Sequence, residues 1–92
     1  MGKGTEASIS SRTTRRICNL AELPMGGQGV VVKLEGGPGF ISRMAALGFI
    51  AGAKVTVTRN HGHGPIIVSI LDTQIALGRG QAAKVHVKEQ VP

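Results

Sequence analysis

Tryptophan and tyrosine are absent, and Phe40 and Phe49 are the only aromatic residues in 92. Barrels that hold single-stranded nucleic acid stack bases on aromatic side chains, and proline-rich peptides need an aromatic-lined groove. Two phenylalanines serve either purpose poorly. Cysteine is nearly absent as well: Cys18 stands alone. This excludes an intrachain disulfide scaffold, fits a reducing cytoplasm, and predicts a small apolar side chain near the start of the domain. The five acidic residues include no pair spaced for acid–base work. The serines cluster toward the N-terminus without a His–Asp companion, so neither general acid–base nor nucleophilic catalysis is expected. No window approaches the roughly 18–20 apolar residues of a membrane-spanning helix. Thr14-Arg15-Arg16-Ile17 has the look of a twin-arginine export signal, but Asn19, Glu22, Pro24 and three glycines interrupt what would follow. The expectation is a soluble, cytoplasmic protein. There is no internal repeat.

What is present is a modest apolar content, 41 %, sufficient for one small core of Val, Ile, Leu, Ala and Met. A chain of this size buries only about 60–65 % of its unfolded surface, so stability is modest unless it docks on a partner or forms a homo-oligomer. The formal charge of +6 divides evenly. Residues 1–16 hold four basic residues against Glu6, and the remainder holds seven against four acids, leaving +3 in each part. The first part is rich in Ser, Thr, Gly and Arg and offers almost nothing to bury. It is predicted to be a disordered basic tail, residues 1–14 being dispensable for folding. Residues 17–92 form the domain.

Along that domain, Asn19 to Pro24 reads as a single turn with Leu20 and Leu23 inward. Val30 to Glu35 alternates as a first strand with Val30, Val32 and Leu34 on the buried face. The Gly36-Gly37-Pro38-Gly39 break leads into a helix over about 40–47. Phe40, Met44 and Leu47 fall at i, i+4 and i+7 on its apolar stripe. Gly48 is placed to cap the helix, with Phe49 folding back on the last turn. A second strand over 53–59 buries Val55 and Val57, and residues 60–64 make a glycine- and asparagine-rich hairpin loop. A third strand over 66–71 is apolar on both faces, so its outer face is covered by the helix or open to a partner. A short fourth strand over 74–78 buries Ile75 and Leu77. A helical turn over 79–83 precedes a fifth strand with Val85 and Val87 inward. Five short antiparallel strands with one inserted helix predict a small mainly β barrel.

The run Arg43-Met44-Ala45-Ala46-Leu47-Gly48-Phe49-Ile50-Ala51-Gly52-Ala53-Lys54-Val55-Thr56-Val57 carries the most information. With Ile75-Ala76-Leu77-Gly78-Arg79 and Ala82-Ala83-Lys84-Val85-His86-Val87 downstream, it resembles the ferrous iron transport protein A (FeoA) family over about residues 17–91. The family pattern has Pro-Gly where Ala51-Gly52 stands here, which costs turn rigidity, and many members carry an acid at Ala46. The resemblance implies an SH3-like barrel, no cofactor, and docking of a non-enzymatic accessory on the cytoplasmic side of an FeoB-type ferrous permease. Arg43 occupies a recurrent arginine of the family. With Ile50, an aliphatic exposed by the turn, it is the first expectation for a partner-binding patch, flanked by the charges of Arg59 and Arg79.

His61-Gly62-His63 offers two imidazoles at i, i+2, with His86 as a conceivable third. Two ligands do not make a zinc site, and exposed hairpin polarity is the expected account. The Gly36–Gly39 run lacks the Gly-Lys-Ser/Thr ending of a phosphate loop and reads as a turn. Two other classes remain open: a small basic barrel binding nucleic acid through the arginine-rich tail, and a stand-alone metal-sensing domain related to the C-terminal domains of metal-dependent repressors.

Overall fold

A computed structural model describes residues 16–90. The tail expectation for residues 1–15 therefore lies outside the described residues. Arg16, placed in that tail, is tied to the domain: its carbonyl accepts the Glu89 N–H at 2.7 Å and its Nε lies 3.3 Å from Glu89 Oε1.

Six strands, one more than predicted, make a single antiparallel sheet. They are β1 (Ile17–Asn19), β2 (Gln28–Leu34), β3 (Lys54–Arg59), β4 (Ile66–Ile70), β5 (Thr73–Leu77) and β6 (Val85–Gln90), in the order β1-β6-β2-β3-β4-β5. The added strand is β1. It is three residues long and pairs only with β6, Cys18 opposite Val87, so no alternation of its own could reveal it. Between β2 and β3 runs helix α1 (Pro38–Ala46), and between β5 and β6 the short helix α2 (Arg79–Ala82). Proline at the helix start is favourable because its missing N–H falls where helical donors lack partners. The 3-10 turn Leu20–Glu22 touches α2, with Leu20 and Ala82 fully buried.

The core confirms Met44, Val55, Val57, Leu77, Val85 and Val87, with Leu34 and Ile75 packed at its border. Leu20 and Leu23 are buried as expected, and Cys18 is inside at 5 % exposure. Burial raises the Cys18 thiol pKa, partly offset by the Arg16 charge.

Three expected core residues are not inside. Val32 is exposed, Val30 half-buried and Leu47 exposed at 45 %. The first two have one cause. The β2–β6 pairing runs Val31 to Val87 and then Lys33 to His86, leaving Val32 as a bulge without a partner. One extra residue reverses the faces of a strand. Gly29 and Val31 therefore point inward before the bulge, and Leu34 turns inward after it. A Cβ on Gly29 would come within 2.9 Å of Val87 Cγ2, which leaves no room for a side chain there.

Leu47 fails for a different reason: it is the cap residue of the helix, still right-handed at φ −85° and ψ −6°, and the chain turns into the core only after it. The N–H of Gly48 bonds to Ala45 O at 2.9 Å and that of Phe49 to Met44 O at 3.0 Å. This is the paired closure of a helix by a left-handed residue, and Gly48 has φ 106°. Phe49, fully buried, takes the core position that the helical period assigned to Leu47.

Candidate docking surface

The closure that buries Phe49 leaves Leu47 on the surface, and Ile50 lies there too with 54 % exposure. Residues 50–53 form a tight turn in which Ala53 N–H bonds to Ile50 O at 3.0 Å and Gly52 takes φ 94°. That is the type II geometry, which requires a glycine at its third position. Two bonds pin the turn to β2: Gly52 N–H to Val31 O and Val31 N–H to Ala53 O, both 2.8 Å. Ile50 is thus an exposed side chain on a fixed backbone.

A second turn completes the patch. Ile70 pairs with Thr73, so β4 and β5 are joined by only Leu71 and Asp72, with φ of 51° and 62°. Two consecutive left-handed residues define the turn that matches strand twist, normally built from Asn, Asp or Gly. Leucine there costs about 1 kcal/mol or more in backbone strain, yet Leu71 is 75 % exposed. Its Cδ1 would lie 2.9 Å from a Cβ on Gly48. Leu47, Ile50 and Leu71 therefore gather around the bare backbone of Gly48.

Arg43 lies one turn back on α1, exposed and without a hydrogen bond or ion pair among the described residues. It borders a groove of about 340 Å³ in which Met44, Ala46 and Leu47 face Ala76 and Leu77 of β5, with Gln81 at one end. No carboxylate lines this groove. Of the expected site residues, Arg43 lines this groove with Leu47, Ile50 is exposed three residues beyond Leu47, and two lie elsewhere. Arg59 ends β3, five residues and roughly 17 Å from its start beside the type II turn. Arg79 is occupied by the 60–64 loop, its Nη1 donating to Gly64 O at 3.0 Å and its Nη2 to Asn60 Oδ1 at 2.8 Å. Leu71 escaped the sequence reading, although an aliphatic followed by Asp-Thr at a strand end was the available signal.

His61 and His63 are exposed in that same loop. His86 does not join them: its Nε2 lies 3.0 Å from Glu35 Oε1, an ion-pair contact when the imidazole is protonated. No group of three or more His, Cys, Asp or Glu residues is placed to hold a metal among the described residues.

The FeoA domain model matches residues 18–89. The chain belongs to the FeoA family. A putative ferrous transport protein A of Methanocaldococcus jannaschii is 37 % identical over 70 residues, covering 76 % of this chain and 84 % of that protein. A fusion of ferrous transport protein A with the transporter FeoB, from Porphyromonas gingivalis, is 36 % identical over 70 residues; the match covers 75 % of this chain and 8 % of the fusion. Among solved structures, a crystal structure of an FeoA iron uptake regulatory protein superposes with a TM-score of 0.78 at 32 % identity, covering 82 % of this chain and all of the other. FeoA of Stenotrophomonas maltophilia in complex with zinc, described as an SH3 domain protein, gives 0.68 at 28 % identity over 76 % of this chain and 88 % of its own. The barrel is thus SH3-like, as the resemblance implied. No helix among the described residues is long and apolar enough to cross a membrane.

Proposed function

We propose that this FeoA-family chain is a non-enzymatic accessory of ferrous iron uptake that docks on the cytoplasmic side of an FeoB-type permease and modulates it. The observation that carries the partner is the Porphyromonas fusion, in which a segment similar to this chain shares one polypeptide with the transporter. The patch of Leu47, Ile50 and Leu71 supports the mode. It is apolar and fixed by backbone hydrogen bonds, and it persists at a strained turn that a polar residue would fill more cheaply. Arg43 at its side supplies a rim charge. Charges of that kind tune association rate and salt sensitivity, whereas desolvated aliphatics set residence time.

The test is capture of the detergent-solubilised permease by Arg43→Glu, Ile50→Asp and the double variant. Ile50→Asp is expected to weaken capture about tenfold or more, and Arg43→Glu chiefly to slow association at low salt. Undiminished ferrous uptake in cells carrying both substitutions, with the protein folded and abundant, removes this patch from the reading.

A further inference from the structure

The outer edge of β5 is open and undefended. In a hairpin closed by two residues, the closing pair exchanges both main-chain bonds and the bonded pairs recur at every second position. Here the closing pair is Ile70 and Thr73, followed by Val68 with Ile75 and Ile66 with Leu77. Thr73, Ile75 and Leu77 therefore aim their N–H and C=O groups at β4. Gln74 and Ala76 aim theirs away from it, where the sheet has no further strand. No other main-chain partner for either residue occurs among the described residues.

Proteins blunt such edges with lysine, proline, a bulge or sheer brevity. The edge at β1 is only three residues long and follows directly on Arg16. The edge at β5 has none of these defences: Thr-Gln-Ile-Ala-Leu carries no charge and no proline, and it pairs with β4 without a register shift. Ala76 belongs both to this edge and to the groove against α1, whose walls are apolar and whose one charge is the unpaired Arg43. An open ladder beside an apolar groove is the arrangement by which extended segments add to a sheet. Main-chain bonds then supply affinity and alternate side chains supply selectivity.

We propose that β5 accepts an extended acidic segment of the permease as a seventh strand, its main chain pairing with Gln74 and Ala76, an apolar side chain entering the groove beside Leu47, and a carboxylate meeting Arg43. This rests on the docking reading above and names the form of the contact. Charge selects the occupant: nothing in the groove neutralises Arg43, and β5 itself has no carboxylate with which a second copy could do so.

The probes are synthetic peptides tiling the cytoplasmic segments of the permease from the same organism, titrated into the isotope-labelled full chain. One acidic peptide is expected to move the Gln74 and Ala76 amides most and to slow their hydrogen exchange. Ala76→Pro deletes an outward N–H and no β4 bond, a substitution edge strands tolerate. It should keep the fold and weaken that peptide about tenfold or more. Arg43→Gln should flatten the salt dependence, and Arg43→Glu should reverse its sign. If Ala76→Pro captures the intact permease as well as wild type, strand addition is overturned while the docking reading stands. If wild type captures no permease, the docking reading falls with it. Peptides that bind without moving these amides also overturn the proposal. So does a concentration-dependent dimer lost in Ala76→Pro, which assigns the edge to a second copy.

Discussion

Two loops at the ends of β4 solve the same problem of reversing the chain by opposite means. The loop over residues 60–64, before the strand, places its left-handed positions at Gly62 and Gly64. Its anchor, Asn60, is bonded within the fold. Asn60 Nδ2 donates to Leu23 O at 2.8 Å, and Asn60 Oδ1 accepts from Gly62 N–H and from Arg79. The turn after the strand places a leucine in a left-handed conformation and leaves that side chain in water. The first loop fastens the 3-10 turn and α2 to the sheet. The second bears a local cost that packing within the domain does not explain. A protein breaks its own local rules where something other than folding selects the residue, and this contrast is why the proposed docking surface is drawn at Leu71 rather than at the histidine loop.

The sharpest probe of the contrast is at the helix closure, where adjacent residues have opposite fates. Phe49→Ala should cost about 3–5 kcal/mol by emptying the core position beside Met44, enough to unfold a domain of this size. Leu47→Ala should cost less than about 0.5 kcal/mol, as surface truncations do. Denaturant unfolding of the two variants decides it, and similar losses would mean that the exposed leucine packs on the barrel after all.

Next come the two loops themselves. Asn60→Ala should destabilise by about 1–3 kcal/mol, because it strands the Leu23 carbonyl and the Arg79 guanidinium together. Leu71→Asn should stabilise by about 0.5–1 kcal/mol through relief of the left-handed strain, while weakening permease capture. Loss of stability in Leu71→Asn would show that the leucine is held by the fold.

A smaller gain tests the other turn of the patch. Ala51 occupies the second position of the type II turn, where proline is preferred, and its N–H has no main-chain partner among the described residues. Ala51→Pro should raise stability by about 0.4–1 kcal/mol through the unfolded chain and leave docking unchanged. A drop in thermal midpoint would contradict the turn assignment.

The smallest effect belongs to the exposed Glu35–His86 pair. The hydrogen bond from His86, then its charge, holds the Glu35 carboxyl below its usual value. A depressed carboxylate contributes stability above its unfolded pKa, near about 4.3, and loses it as pH falls through the folded value. Acid unfolding of Glu35→Gln should therefore lack a shallow part of the limb just below pH 4.5, and an unchanged limb would mean the pair is too solvated to matter.

Most of the sheet was legible because hydrophobic alternation and glycine placement act locally. β3, β4, β5 and the capping glycine followed from short windows of sequence. What escaped depends on partners distant in the chain. The Val32 bulge exists only relative to β6, and β1 has too few residues to show a period. Leu47 keeps a helical backbone yet stays outside, because the left-handed Gly48 redirects only the chain beyond it and brings Phe49 into the core instead. Of the residues named from sequence for a partner patch, Arg43 and Ile50 lie exposed, but Arg79 is bonded within the fold. Leu71 became conspicuous only through its dihedral angles.

Because β1 and β6 run antiparallel with Ile17 opposite Lys88, residues 16 and 90 leave the barrel side by side. A domain whose two ends meet behaves as a plug-in unit. It can hang from either end of a larger polypeptide, or be spliced whole into a loop of one, and present the same face each time. The orientation of this patch is then set by the barrel and not by the tether, which lets one architecture serve both as a separate chain and as a segment of a larger one.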